Sequence, residues 1–296
     1  MPDPAKYAIG IDVGVTNIKC AVVDPGGEIL SRDTRETYAD THDWPAGIRT
    51  LIDEIERERG TTTTIGLSAP GLAAADGNSI AWMQGRLDRV QGLNWADYLG
   101  REHRIAVMND AHAALIGETW IGAARGARDA ILLTLGTGVG GAILADGRVL
   151  RGHLGRAGHL GHISLNPDGS RDIVNTPGSL EEAIGNCTVA VRSDGRFNST
   201  HDLIRAHRAG DADATEIWQR SVKCLAAAIV SLVNVVDPEI VIIGGGIARA
   251  GDALFHPLAN WMEQFEWRPE RNAVKIVPAQ LGEFAGAIGA ARNAMD

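Results

Sequence analysis

Two stretches of this chain share one grammar, and the repetition limits the fold more than any other feature. "YAIGIDVGVTNIKCAVVDPGGEIL", from Tyr7, reads as an apolar strand, a tight glycine turn, a second strand, a DPGG turn and a third strand. "AILLTLGTGVGGAILADGRVL", from Ala130, repeats the order: apolar run, Gly/Thr turn, apolar run, ADG turn, short third run. Two such meanders predict a duplicated domain core. The first is followed by "WPAGIRTLIDEIERERG", apolar at helical spacing, and by the strand "TTIGLSAPG". The second is followed by helical segments and by "EIVIIGGGIARAGDAL", a buried strand that breaks at Gly244, Gly245 and Gly246 before an amphipathic helix. The expectation is an α/β protein with an N-terminal domain over 1–118 and a C-terminal domain over 119–296, the boundary lying within 118–125 and the last helix able to pack back on the N-terminal domain.

A chain of 296 residues is long enough for two such domains. Its net charge of -9 argues against a nucleic-acid or anionic membrane partner, both of which need clustered Lys and Arg. A small molecule is the expected partner. Cys20, Cys187 and Cys224 are too scattered for a disulfide framework and read as thiols in a reducing cytoplasm. The N-terminus lacks the pattern of a secretory leader. The most apolar stretch, "CLAAAIVSLVNVV", is shorter than the roughly 20 residues that a membrane span needs.

The turns carry the candidate chemistry. In "DVGVTNIK" a turn on Gly14 offers backbone N–H groups and the Thr16 hydroxyl, with the Asp12 carboxylate at its mouth and the Lys19 amine beyond. That set suits a phosphate with a divalent ion, although one such turn is more often only a hairpin. Gly136, Thr137, Gly138 and Gly140 repeat the pattern in the second meander, so two loops acting on one phosphate chain is the stronger reading. Gly244–Gly246 reads equally as a turn that lets a flat ligand such as adenine approach the backbone and as packing glycines at a helix start. "IAVMNDAHAALIGETW" delivers Asn109 and Asp110 at the end of a strand. There a carboxylate can take a proton from a substrate hydroxyl, or Asn-Asp can simply cap the helix that follows.

Collectively these segments resemble the ROK family of sugar kinases and repressors. The resemblance runs in order through "IGIDVGVTNIKCAVVD", "IGLSAPGLAAADG", "VMNDAHAALIGE", "TLGTGVGGAIL", "AGHLGH", "DPEIVIIGGGIA" and "LGEFAGAIGAA". It implies duplicated ribonuclease H-like domains of the actin/hexokinase type with a cleft between them. It further implies ATP-dependent phosphorylation of a hexose or amino-hexose hydroxyl. Asp110 would be the general base, Asn109 a holder of neighbouring sugar hydroxyls, and Asp12 a water-mediated Mg²⁺ site. Gly14, Thr16, Gly136, Thr137 and Gly138 would cradle phosphates, beside Lys19. Gly244, Gly245 and Gly246 would meet the adenosine. Gly85 and Arg86 in "WMQGRLDRVQGLNW" would contact hydroxyls, with Trp82 and Trp95 as apolar walls or core. A homodimer is an expectation of the resemblance alone. An N-terminal DNA-binding module has no room before the first strand, and no basic track suggests a polyphosphate donor.

The chain departs from the family pattern twice. The family has Glu-x-Gly-His followed by a Cys-x-Cys-Gly-x-x-Gly-Cys-x-Glu segment whose cysteines bind structural zinc with that histidine. Here the three cysteine places, counted from His162, hold Asp172, Val174 and Ser179, so no thiolate is available and no structural zinc is expected. The final glutamate falls on Glu181, after Gly178, so the resemblance implies that a sugar-facing carboxylate survives the loss of the metal, with Pro177 stiffening the loop. The family's first glutamate is His159, which donates as well as accepts hydrogen bonds. His159 beside a retained His162 leaves three readings open: an altered sugar specificity, a weakened kinase, or a sugar sensor without catalysis. His112, His153, His201 and Cys187 have no assigned role.

Overall fold

Alternating apolar residues build the first sheet, and it carries the first candidate loop. A computed structural model describes residues 7–37, 44–62, 64–83, 87 and 89–296. The chain forms two compact units; it passes between them after Gly126, Arg148, Ala157 and Ala279, so residues 149–157 and 280–296 belong with the N-terminal unit.

In the first unit, β1 (Ala8–Val13), β2 (Asn17–Val23) and β3 (Ile29–Glu36) form the antiparallel meander. The helix α1 (Trp44–Arg59) then leads to β4 (Ile65–Ala69), which pairs parallel to β1. A small ribbon of β5 (Leu72–Ala73) and β6 (Ile80–Trp82) and the short helix α2 (Trp95–Leu99) intervene before β7 (Ala106–Asn109) and α3 (Asp110–Trp120). The sheet order is β3-β2-β1-β4-β7. Register aligns Asp12 with Ser68 and Ala69 with Asn109, so one end of the three parallel strands gathers the polar residues of these otherwise apolar strands.

The second unit repeats this order with β8 (Ala130–Leu135), β9 (Val139–Ala145) and β10 (Arg148–Val149) as its meander. The helices α4 (Leu180–Ile184), α5 (Val189–Arg192), α6 (Thr200–Arg208) and α7 (Ala212–Val236) precede β11 (Ile240–Gly244), and α8 (Asp252–Phe265) precedes β12 (Lys275–Pro278). The order β10-β9-β8-β11-β12 matches the first sheet position for position. By length and composition α7 could cross a membrane, but Trp218, Val222, Leu225, Ala226 and Ile229 are buried in the core of this unit, as in a soluble core helix. The expected amphipathic helix after Gly244–Gly246 does not start there: a single 3₁₀ turn, Ile247–Ala250, comes first, because Gly245 and Gly251 both take positive φ.

The final helix, α9 (Ala285–Met295), completes the first unit by packing on β1, β4 and α3. Its buried face is Ala285, Gly286, Ala287, Ile288, Gly289, Ala290 and Ala291, small enough for backbone to touch backbone. Any side chain at Gly10 of β1 would run into the helix carbonyl of Ala287. A fully buried carboxylate anchors the segment before α9: Glu118 accepts N–H groups of Ala123 at 2.7 Å, Leu281 at 2.8 Å and Gln280 at 2.9 Å. Three hydrogen bonds to one charged group offset the cost of burying it.

Candidate active site

Asp12 is the penultimate residue of β1 and is partly buried among apolar residues. Its Oδ1 accepts a 2.8 Å hydrogen bond from the hydroxyl of Ser68. Burial, followed by the negative charge of Asp110, pushes the Asp12 carboxyl up to about 7, against the smaller lowering effects of Ser68 and Lys19. A buried carboxylate with a second carboxylate near enough to raise it makes a seat that a divalent cation fits, because the cation's charge relieves their repulsion. Lys19 lies across the β1–β2 pair from Asp12, and its Nζ is 3.8 Å from Glu283, an exposed pair that contributes little to stability.

Each glycine loop is closed by a backbone hydrogen bond from its first glycine, across three residues in the first loop and two in the second. The Gly14 N–H donates to the Asn17 carbonyl at 3.0 Å, and the Gly136 N–H donates to the Gly138 carbonyl at 2.9 Å. Those two N–H groups hold the turns shut, which leaves the tips with the exposed Thr16 and Thr137 as the surfaces a phosphate would meet. The second loop is also braced from behind: the N–H groups of Asn186 and Cys187 donate to the carbonyls of Gly136 and Thr137 at 3.0 and 2.8 Å. Glu181, at the start of α4, accepts the Val139 N–H at 2.9 Å on Oε2. Its carboxylate lies over Gly138, where any side chain would collide with it. Glu181 is therefore tied to the second glycine loop through one oxygen.

Asn109 takes the capping role that the sequence allowed. Asn109 is the helix cap: its Oδ1 accepts from Ala111 at 2.9 Å and His112 at 3.2 Å, and its Nδ2 donates to the Gly71 carbonyl at 3.0 Å. Asp110 follows as the first residue of α3, with Oδ1 2.8 Å from its neighbour's N–H. His112 is buried, with Nε2 3.0 Å from the Ala157 carbonyl. Trp95 is core rather than wall, fully buried beside Trp44 and Tyr98. Trp82 is exposed on β6. Gly85 and Arg86 lie outside the described residues. Gly245 packs against the Leu135 backbone, whereas Gly246 has open space beside it, so only the latter can admit a flat ligand.

The histidines lie on a 3₁₀ turn, with His159 at its cap and His162 ending it. Nδ1 of His162 is 2.8 Å from Oδ2 of Asp172, and the other carboxylate oxygen accepts the N–H groups of Val174 at 3.0 Å and Thr176 at 2.9 Å. Burial pushes Asp172 up, but hydrogen bonds from His162, Thr176 and Ser179 outweigh it and hold the carboxyl below its ordinary value. An ionised acceptor on Nδ1 puts the ring proton there and fixes the ring's orientation. The residue at one of the family's metal-ligand places thus pins both the histidine and the loop with hydrogen bonds. A zinc ion does not fit this donor set, since both Asp172 oxygens are engaged and no thiolate is present. We expect Asp172→Ala to cost about 1–3 kcal/mol, the range for stranding buried partners, read as a lower melting temperature. A chelator such as EDTA should leave the wild-type melting temperature unchanged; a drop on chelation would mean that a metal holds the loop.

Sequence reasoning missed Ser68, Glu118 and the Asp172 pin. Ser68 carried a usable signal: it is the polar residue in the fully buried strand "IGLSA", and a buried hydroxyl needs a partner.

The model of the ROK family matches residues 8–296. The chain belongs to the ROK family. Among ROK relatives, a glucokinase of Halalkalibacterium halodurans is 32% identical, the match covering 96% of this chain and 93% of that one. An N-acetyl-D-glucosamine kinase of Vibrio parahaemolyticus is 27% identical over 95% of this chain and 97% of that one. A ROK hexokinase of Thermus thermophilus superposes with a TM-score of 0.81 at 29% identity, covering 97% of each chain. A ROK glucokinase of Streptomyces griseus, solved with glucose and AMPPNP, gives 0.77 at 27% identity, covering 97% of this chain and 98% of that one. The matched sheets described above are those of the actin/hexokinase fold that these ROK structures share.

Proposed function

We propose that this chain transfers the γ-phosphoryl group of ATP to a hydroxyl of a hexose or N-acetylhexosamine. The observation that carries the reading is the carboxylate pair of Asp12 and Asp110 beside the first glycine loop, in a chain whose relatives include a glucokinase and an N-acetyl-D-glucosamine kinase. In this reading Asp110 accepts the proton of the acceptor hydroxyl while its oxygen bonds to the γ-phosphorus. The bond from that phosphorus to the β–γ bridging oxygen breaks, and ADP leaves. Thr16 and Thr137, at the tips of the two loops, hold phosphate oxygens. Asp12 would hold Mg²⁺ through water, and the ion would supply charge neutralisation on the phosphates. His162, its ring fixed by Asp172, and His159 contact sugar hydroxyls or an acetamido group. Asn109 acts by holding the Gly71 turn and the head of α3.

The test is ADP release by the purified protein with Mg-ATP and glucose, N-acetylmannosamine, N-acetylglucosamine, fructose or allose. One sugar should be turned over well above the rest. His159→Glu replaces a donor by an acceptor-only group and should change the ratio of kcat/KM between two sugars by about tenfold or more, the worth of one mispaired polar contact. No ADP with any sugar, while sugars still raise the melting temperature, would replace the kinase reading with that of a sensor.

A further inference from the structure

The carboxylate of Asp12 is held by two residues outside its own loop, and one of them comes from the far end of the chain. Ser68 stands opposite Asp12 in the parallel β1–β4 pair, and its hydroxyl donates to Oδ1 at 2.8 Å. That bond favours one rotamer for a short side chain and engages only Oδ1. Gly286 lies in the first turn of α9 and faces the same carboxylate. A methyl placed there would be 2.8 Å from Cγ, 2.9 Å from Oδ2 and 3.0 Å from Oδ1 of Asp12. Gly286 does not have positive φ, so its backbone would accept alanine, and the helix would even gain from it. What excludes a side chain is the carboxylate itself.

We infer that Ser68 and Gly286 are positioning residues for Asp12: Ser68 fixes its rotamer, Gly286 leaves room for it, and the helix α9 thereby forms one wall of the cation and phosphate site of the first loop. The inference deepens the kinase reading and rests on it for the identity of the ligand. Loss of an outer group that orients a metal-holding side chain typically weakens metal affinity about 10–100-fold.

The experiment compares AMPPNP binding by calorimetry with and without Mg²⁺ in wild type, Ser68→Ala and Gly286→Ala. Both variants should lose about tenfold in the Mg²⁺-dependent gain of nucleotide affinity, with binding in the absence of metal little changed. A merely structural role would not single out the metal-dependent part. In an Asp12→Ala background, which removes the carboxylate and makes room for the methyl, each substitution should be silent. Equal losses in both backgrounds would overturn the inference. A ligand-free measurement separates its fate from that of the kinase reading: the ¹³C carboxyl resonance of Asp12 should move in both variants. An unmoved resonance in both overturns the positioning role whether or not the protein proves to be a kinase. Wild-type protein that binds no nucleotide, with the resonance still moving, would instead count against the kinase reading alone.

Discussion

Asp110→Asn should leave the protein folded and lower kcat by about 10²–10⁴-fold, the usual contribution of a general base. The substitution keeps the shape of the side chain and an oxygen able to accept the Ala111 N–H, 2.8 Å away in the wild type. Asn109, which caps α3, is untouched. What disappears is the group able to take a proton from the acceptor hydroxyl. The KM for sugar should therefore change far less than kcat, since positioning survives and proton transfer does not. Steady-state kinetics on the best sugar of the panel decide it, and near-normal turnover would remove Asp110 from the role of base.

The neighbouring carboxylate leads to an opposite effect on stability. Asp12 is raised from 3.8 to about 7 by burial and then by Asp110, so the folded chain holds this proton more tightly than the unfolded chain does. Below about pH 4 both states are protonated and the folded state carries no penalty from this group. As pH rises from there through 7 the unfolded state ionises first, and stability is lost. At 1.36 kcal/mol per unit, a shift of about 3 units amounts to about 4 kcal/mol at most. Asp12→Asn cannot ionise and keeps an oxygen for Ser68. It should melt several degrees above wild type at pH 8, with the gap narrowing toward pH 5, while metal-dependent turnover falls. Melting curves across that range provide the check; a gap independent of pH would show that Asp12 is not the group responsible. This is the trade expected where a site keeps an unfavourable charge for use.

Much of this arrangement was legible from strings of residues. The two meanders stand out because alternation and turn residues are local signals, and the structure repeats them to the point of identical sheet order. The loops on Gly14 and Gly136 were visible for the same reason, although which N–H groups close the turns depends on geometry that no spacing reveals. Asn109 shows the limit of a dipeptide: strand-end ligand and helix cap use the same letters, and its amide serves as cap and as a donor to Gly71. Asp172 shows another limit. Counting from His162 exposed the missing cysteines, but that a carboxylate at one of the vacated places would orient the same ring needed the fold of the loop. The wall that α9 lends to Asp12 joins residues near opposite ends of the chain, and a run of alanines and glycines does not say what it will lie against.

The same helix determines when the first unit can be finished during synthesis. The strand β1 ends at Val13 and the helix that covers it begins at Ala285. At about 5–20 residues per second, the roughly 270 residues between them take on the order of 15–50 s to leave the ribosome. Through that interval the floor beneath Gly10 and Gly66 is bare, and Asp12 lacks one side of its seat. The second unit, whose core runs from Ile131 to Ile276, waits for only about half as many residues at that rate. The part of the protein made first is thus the part completed last, and a nascent chain stalled before residue 285 would expose a glycine-lined sheet face to whatever binds unfinished protein.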